Sequence, residues 1–327
     1  MKKFLAVGAL AAAAVLALSG CTDSAAPSGS AAPTEGGAAE VRDIRIAALP
    51  IAETGALWAA IDEGIFADHG LKVEVVPAQG GANAIPALLS GDIQFAIGQP
   101  FGPIRADLQD LGVAIIGNYA NSLADGVDVN AVVATADSGI TRPADLSGKS
   151  VSVNTIGAAG DLTIRKAVDD DGGDSSTIKF VEVAFPDVPA QLDAGTMDAA
   201  WTPDPFRAIV EGKGGVSVVA PYQATIPGLS VLTSITTQDL IDNDPDLVAA
   251  YAAAMEEALE FATANEDAVR AAIATNLKIS DEAAAGITLP TFTWDLSDAG
   301  IEDLGALAVE YAYIDAEPDY SRLIQQQ

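Results

Sequence analysis

The chain has 327 residues, half of them hydrophobic, with 46 acidic against 16 basic side chains and a formal net charge of −30. So large an acidic excess repels nucleic-acid phosphates and excludes that class of partner. One cysteine and one histidine exclude an intramolecular disulfide, a structural zinc site and a Ser-His-Asp triad, so no catalytic residue, metal or cofactor is assigned.

Lys2 and Lys3 precede an apolar run from Phe4 to Leu18, which is short for a spanning helix and flanked like an export signal. It ends at Leu18-Ser19-Gly20-Cys21, which resembles the bacterial lipobox. The resemblance implies cleavage before Cys21 and acylation of its thiol. Acyl chains contribute about 0.8 kcal/mol per buried methylene, enough to anchor a protein to the outer face of the cell membrane. Residues 22–42 are mainly Ala, Ser, Gly, Pro and Thr, too poor in large apolar groups to order themselves, and read as a disordered tether. Folding is expected to begin near Asp43.

Beyond that point short β-like runs alternate with helical patterns, which argues for an α/β fold with mainly parallel sheets. Residues 44–49 read as a strand, 56–64 as a helix with Leu57, Trp58, Ile61 and then Ile65 on one face, and 71–76 as a second strand. Gly80 to Asn83 opens a helix running to about Ser90; 93–97 is a strand, Gln99-Pro100 starts another helical segment, and 113–116 and 131–134 are strands. A second unit starts near Ile140, with strands at 149–153, 178–183, 199–201 and 216–219 and helices at 161–168, 188–194 and 204–211. Residues 229–234 read as a strand returning to the first unit. From Pro245, set for a helix's first turn behind a capping Asp244, the remainder is almost wholly helical in pattern.

Five segments carry a family resemblance: Ile61 to Phe66 with His69 to Glu74; Ala87-Leu88-Leu89-Ser90-Gly91-Asp92-Ile93; Asp145-Leu146-Ser147-Gly148-Lys149-Ser150-Val151; Leu192 to Ala199; and Leu289-Pro290 with Trp294-Asp295. In this order, over nearly all of 43–324, the chain resembles the nitrate/sulfonate/taurine-type (SsuA/THI5-like, NMT1) solute-binding proteins of ABC importers, a superfamily that also includes binders of thiamine pyrimidine precursors. The resemblance implies a type II periplasmic-binding-protein fold, two α/β lobes with a hinge and a helical C-terminal tail. Lobe 1 with the tail is expected at 43–136 and 231–327, lobe 2 at 137–230, after a signal peptide at 1–21, with crossovers near 134–138 and 228–234. It further implies a monomer that delivers a small molecule to an ABC permease and ATPase. The expected ligand is a small anion of the sulfonate, nitrate or bicarbonate type. A thiamine-pyrimidine or other heteroaromatic precursor is the alternative, as is a lipoprotein that senses a ligand without transporting it.

In open α/β sheets ligands gather at the carboxyl ends of strands, and five loops have that position. They offer Glu53 and Thr54; Gly80, Gly81, Ala82 and Asn83; Gln99; Asn154, Thr155 and Gly157; and Trp201 with Asp204. Free N–H groups at a helix start attract anions, so the two glycine-bearing loops are placed to grip an oxyanion from opposite sides. Trp201 is placed to stack on the ligand and Asp204 to meet a donor on it, while core packing for Trp201 and helix capping for Thr54 stay open. Asn118, beside Tyr119, is a candidate of the same kind. Two enzyme-like motifs fail: Gly148-Lys149-Ser150 has Pro143 where a phosphate loop needs its first glycine, and the acidic run 169–174 lacks the later Glu and the glycine spacing of a calcium loop.

Overall fold

The computed structural model describes residues 41–297 and 299–327; the lipobox and nearly all of the expected tether lie outside the described residues. Eleven strands follow in chain order: β1 Arg42–Ala48, β2 Leu71–Pro77, β3 Phe95–Gly98, β4 Val113–Asn121, β5 Asn130–Ala134, β6 Ser150–Val153, β7 Lys179–Glu182, β8 Ala199–Pro203, β9 Val216–Val219, β10 Ser230–Thr237 and β11 Thr291–Phe292. They form two sheets, ordered β11-β4-β10-β3-β1-β2 and β7-β6-β8-β5-β9. Each sheet has a parallel trio, β2-β1-β3 or β7-β6-β8. Beside each trio lies one antiparallel strand that has just arrived from the other lobe: β10 in the first sheet and β5 in the second. This is the expected two-lobed α/β architecture.

Strand pairing moves one expected boundary. The run 131–134, assigned to lobe 1 from its position in the chain, pairs with β8 and β9 in the second sheet. The first crossing therefore lies at 122–129, ahead of the expected 134–138. A buried Val-rich strand fits either sheet equally well, and local pattern carries no information about which. The return crossing runs through 220–229, with a short helix Pro221–Thr225 on the way. The two crossings are bonded to each other: Ser122 N–H donates to the Leu229 carbonyl at 2.8 Å, and Gln223 Nε2 to the Leu123 carbonyl at 3.0 Å.

Local chemistry explains the elements. In β1, Ile44 and Ile46 are buried beside the exposed Asp43 and the half-buried Arg45, a period of two, and from Ile46 to Ala48 both faces are covered. The helix Pro245–Ala264 buries Leu247, Val248, Tyr251, Ala252, Met255, Ala258, Leu259 and Ala262, a stripe at helical spacing. Asp244 caps it, accepting from Leu247 N–H at 3.2 Å. Gly55 opens the helix Gly55–Asp62 against the neighbouring helix Glu266–Leu277; a Cβ there would lie 2.6 Å from Ile273, so the two backbones approach closely only because the residue is glycine. The tail is less helical than its pattern: β11 joins the first sheet, and Trp294 lies over Gly117, where a Cβ would be 2.3 Å from its ring. One continuous apolar cluster runs through both lobes, from Ile46 and Phe95 to Val132, Leu162 and Trp201. No helix among the described residues is long and apolar enough to cross a membrane.

Candidate functional site

After β1 the chain turns across the front of lobe 1 as Leu49, Ile51 and a single 3-10 turn, Ala52–Thr54. Gln99 stands at the end of β3. Facing them from lobe 2 are Trp201 in β8, Asn130 at the start of β5, Phe185 after β7, and Tyr222 on the return crossing. Together these line a narrow hollow between the lobes. A second, wider hollow adjoins it, sharing Leu49, Ile51 and Phe185 and adding Gln79 and Asn154. Residues of both lobes wall the inner hollow.

The inner wall is aromatic and acidic. Phe185 and Tyr222 meet the Trp201 ring at centroid distances of 5.6 and 5.5 Å. Trp201 Nε1 donates to Asn130 Oδ1 at 2.8 Å, fixing both side chains. Glu53 is 3% exposed, and burial raises its carboxyl from 4.5 to about 8, with Asp204 and Asp128 adding to the rise and Arg207 opposing it. Its Oε2 has no hydrogen-bond partner, and neither does the buried Tyr222 hydroxyl. No Lys, Arg or His lines this cavity among the described residues.

Glu53, Gln99 and Trp201, read from three separate loops, thus meet at one cavity. Asn154 borders the adjoining hollow, and Gly80 approaches it: a Cβ on Gly80 would lie 3.3 Å from Asn154 Nδ2 and from Thr155 Oγ1. Asn154 Nδ2 donates across the cleft to the Gln79 carbonyl at 2.9 Å, while its Oδ1 and Thr155 Oγ1 stay unpartnered. Gly81 and Ala82 begin the helix Gly81–Leu89, and Asn83 on it is exposed.

Other expected site residues have structural partners instead. Thr54 donates to the Leu49 carbonyl at 2.6 Å and does not cap the following helix. Asn118 is fully buried in β4, engaged by Asn121, Ser230 and the Asp295 carbonyl, and borders neither hollow. Its neighbour Tyr119 accepts from Leu57 N–H at 3.0 Å. Asp204 is bound by Arg207 Nη2 at 2.7 Å and Nε at 3.2 Å; burial raises its pKa, opposed by that guanidinium. Part of the expected oxyanion grip in lobe 2 is occupied from within the chain. Gly157 and Ala158 N–H donate to the carboxylate of Asp161 at 3.0 and 2.8 Å, and Tyr313 donates to it at 2.8 Å. Tyr222, Asn130 and Phe185 went unread because they lie on the crossing, at the first residue of β5 and in a short loop after β7. Only their long-range placement makes them neighbours; an aromatic next to Pro in Phe185-Pro186 and Pro221-Tyr222 was the one local hint.

A family profile described as "NMT1/THI5 like" matches residues 52–269. The formylaminopyrimidine-binding protein of Halalkalibacterium halodurans is 24% identical over 279 residues, 84% of this chain and 80% of that one. The alkanesulfonate-binding protein SsuA of Xanthomonas axonopodis pv. citri, bound to MOPS, superposes with a TM-score of 0.73 at 16% identity, covering 89% of this chain and all of its own. The nitrate-binding protein NrtA of Synechocystis PCC 6803 superposes at 0.72 with 13% identity, over 88% of this chain and 86% of that one. These structural likenesses establish a shared fold, the type II periplasmic-binding one.

Proposed function

From the premise that this chain belongs to the NMT1/THI5-like family, we propose that it is the extracytoplasmic solute-binding component of an ABC importer, not an enzyme. It takes up a small nitrogen-containing heteroaromatic molecule between its lobes and passes it to a permease and ATPase. The observation that carries this is the hollow shared by both lobes, walled by aromatic rings and a buried carboxyl and, among the described residues, by no cationic side chain. Of the two ligand classes open at the sequence level, that lining favours the heteroaromatic one. A sulfonate or nitrate would find no cationic side chain in that lining among the described residues, and the Gly157 and Ala158 N–H groups already hold Asp161. The relative named for formylaminopyrimidine binding supports the same choice. Rings of this kind gain from aromatic contact and from a few fixed polar groups.

The lipobox-like Leu18-Ser19-Gly20-Cys21 supports lipid anchoring through Cys21, with 22–42 as the tether holding a monomer at the membrane surface. A calorimetric titration of the purified protein tests the ligand class. Aminopyrimidines are expected to bind and to raise the melting temperature, and taurine, sulfate, nitrate and bicarbonate to do neither. Tight binding of an anion, with no response to any pyrimidine, would remove this reading.

A further inference from the structure

Within the inner hollow two side chains end in buried polar atoms without a hydrogen-bond partner among the described residues, Glu53 Oε2 and the Tyr222 hydroxyl. Native interiors rarely leave such atoms unmet, and orphans on the wall of a cavity mark where a guest's polar atoms go. Burial above all keeps the Tyr222 proton in place, and Glu53 is among the acids close enough to influence it. The remaining ionisable groups around Glu53 are Asp128 on the first crossing, Asp204 and Arg207 after β8, and Tyr119 in β4. Three further acids or phenols and one committed guanidinium leave no cation to hold a carboxylate ionised. A neutral carboxyl presents one donor and one acceptor side by side.

We propose that Glu53 and Tyr222 are the specificity pair of this cavity, and that they read a heteroaromatic edge on which a ring nitrogen and an amino group adjoin. The Glu53 O–H donates to the ring nitrogen and its other oxygen accepts from the amino group. The Tyr222 hydroxyl satisfies a further polar atom of the same ring. No proton changes hands and no bond is made. This deepens the heteroaromatic reading above and rests on it.

Three probes test it by calorimetric titration of the full-length protein in mild detergent: 4-amino-2-methylpyrimidine; 2-methylpyrimidine, which lacks the amino group; and 2-methylpyrimidin-4-one, which interchanges donor and acceptor. The protein is expected to prefer the first by at least about 100-fold, as sites built to bond a polar substituent do. Glu53→Gln keeps a donor beside an acceptor and should retain the preference; Glu53→Met should bring it below about tenfold, and Tyr222→Phe should lower it. Affinity for the aminopyrimidine should fall as pH rises past about 8 in the native protein, where the carboxyl loses its donor, and stay level in Glu53→Gln. A full preference in Glu53→Met, a loss in Glu53→Gln as large as in Glu53→Met, or a level profile in the native protein overturns the assignment. If Glu53→Met does not fold, the two pH profiles still decide. Failure of the native protein to bind any pyrimidine overturns the ligand class itself, a different result from binding without discrimination.

Discussion

Glu53 carries a thermodynamic signature that is independent of any ligand. Its folded pKa of about 8 lies above the unfolded 4.5, so between those values the native chain holds a proton that the unfolded chain releases. Its contribution is therefore fully present below 4.5 and is lost as pH rises through about 8, a difference of roughly a few kcal/mol. Replacement by Gln removes the linkage. The Glu53→Gln variant should gain melting temperature over the native protein at pH 9 and much less at pH 5; a gain that is the same at both would show that the carboxyl is ionised throughout. Trp201 also changes meaning once its surroundings are known. The sequence places Trp201 to stack on a ligand and leaves core packing open, and the ring is 3% exposed, bonded to Asn130 and packed on Gly160. Its truncation should cost about 3–5 kcal/mol in a urea melt, whereas Trp201→Phe should lose far less. What was legible here is instructive: Glu53 and Gln99 announce themselves by following strands and Trp201 by lying in one, whereas Tyr222 becomes a neighbour of Glu53 only through the path of the crossings.

Elements were more legible than their partners. Apolar alternation located every strand of the first sheet except β11, two residues long. It stopped β4 at Ile116, because Gly117, Asn118 and Tyr119 do not resemble a strand, yet pairing with β10 continues to Asn121. Alternation reports that one face is buried and is silent about the neighbour, and for that reason β5 was assigned to the wrong sheet. Helix starts, set by local chemistry, fared better. The Asp244 cap and Pro245 both stand where the sequence puts them, and Asp244 also pairs with Arg42 at the first strand. Asp244→Ala is expected to cost about 1 kcal/mol, measured as a shift in urea midpoint; an unchanged midpoint would mean that neither the cap nor the half-exposed ion pair contributes.

At the scale of the whole molecule, the lobes share an apolar cluster and several cross-cleft bonds, among them Ala52 N–H to the Asp204 carbonyl at 3.2 Å and Arg105 to the Gly157 carbonyl at 3.2 Å. A core continuous across the cleft couples the melting of its two sides. Differential scanning calorimetry should record one transition whose calorimetric and van't Hoff enthalpies agree, and two resolved peaks would show that the lobes melt independently. The bonded crossings have a consequence of another kind. Because Ser122 and Leu229 lie side by side, everything between them departs from and rejoins its host at a single point. The distal half is topologically a cassette spliced into one loop. Exchange with the corresponding segment of a relative would transplant half of a pocket without rethreading the remainder, so new guests can be acquired one wall at a time.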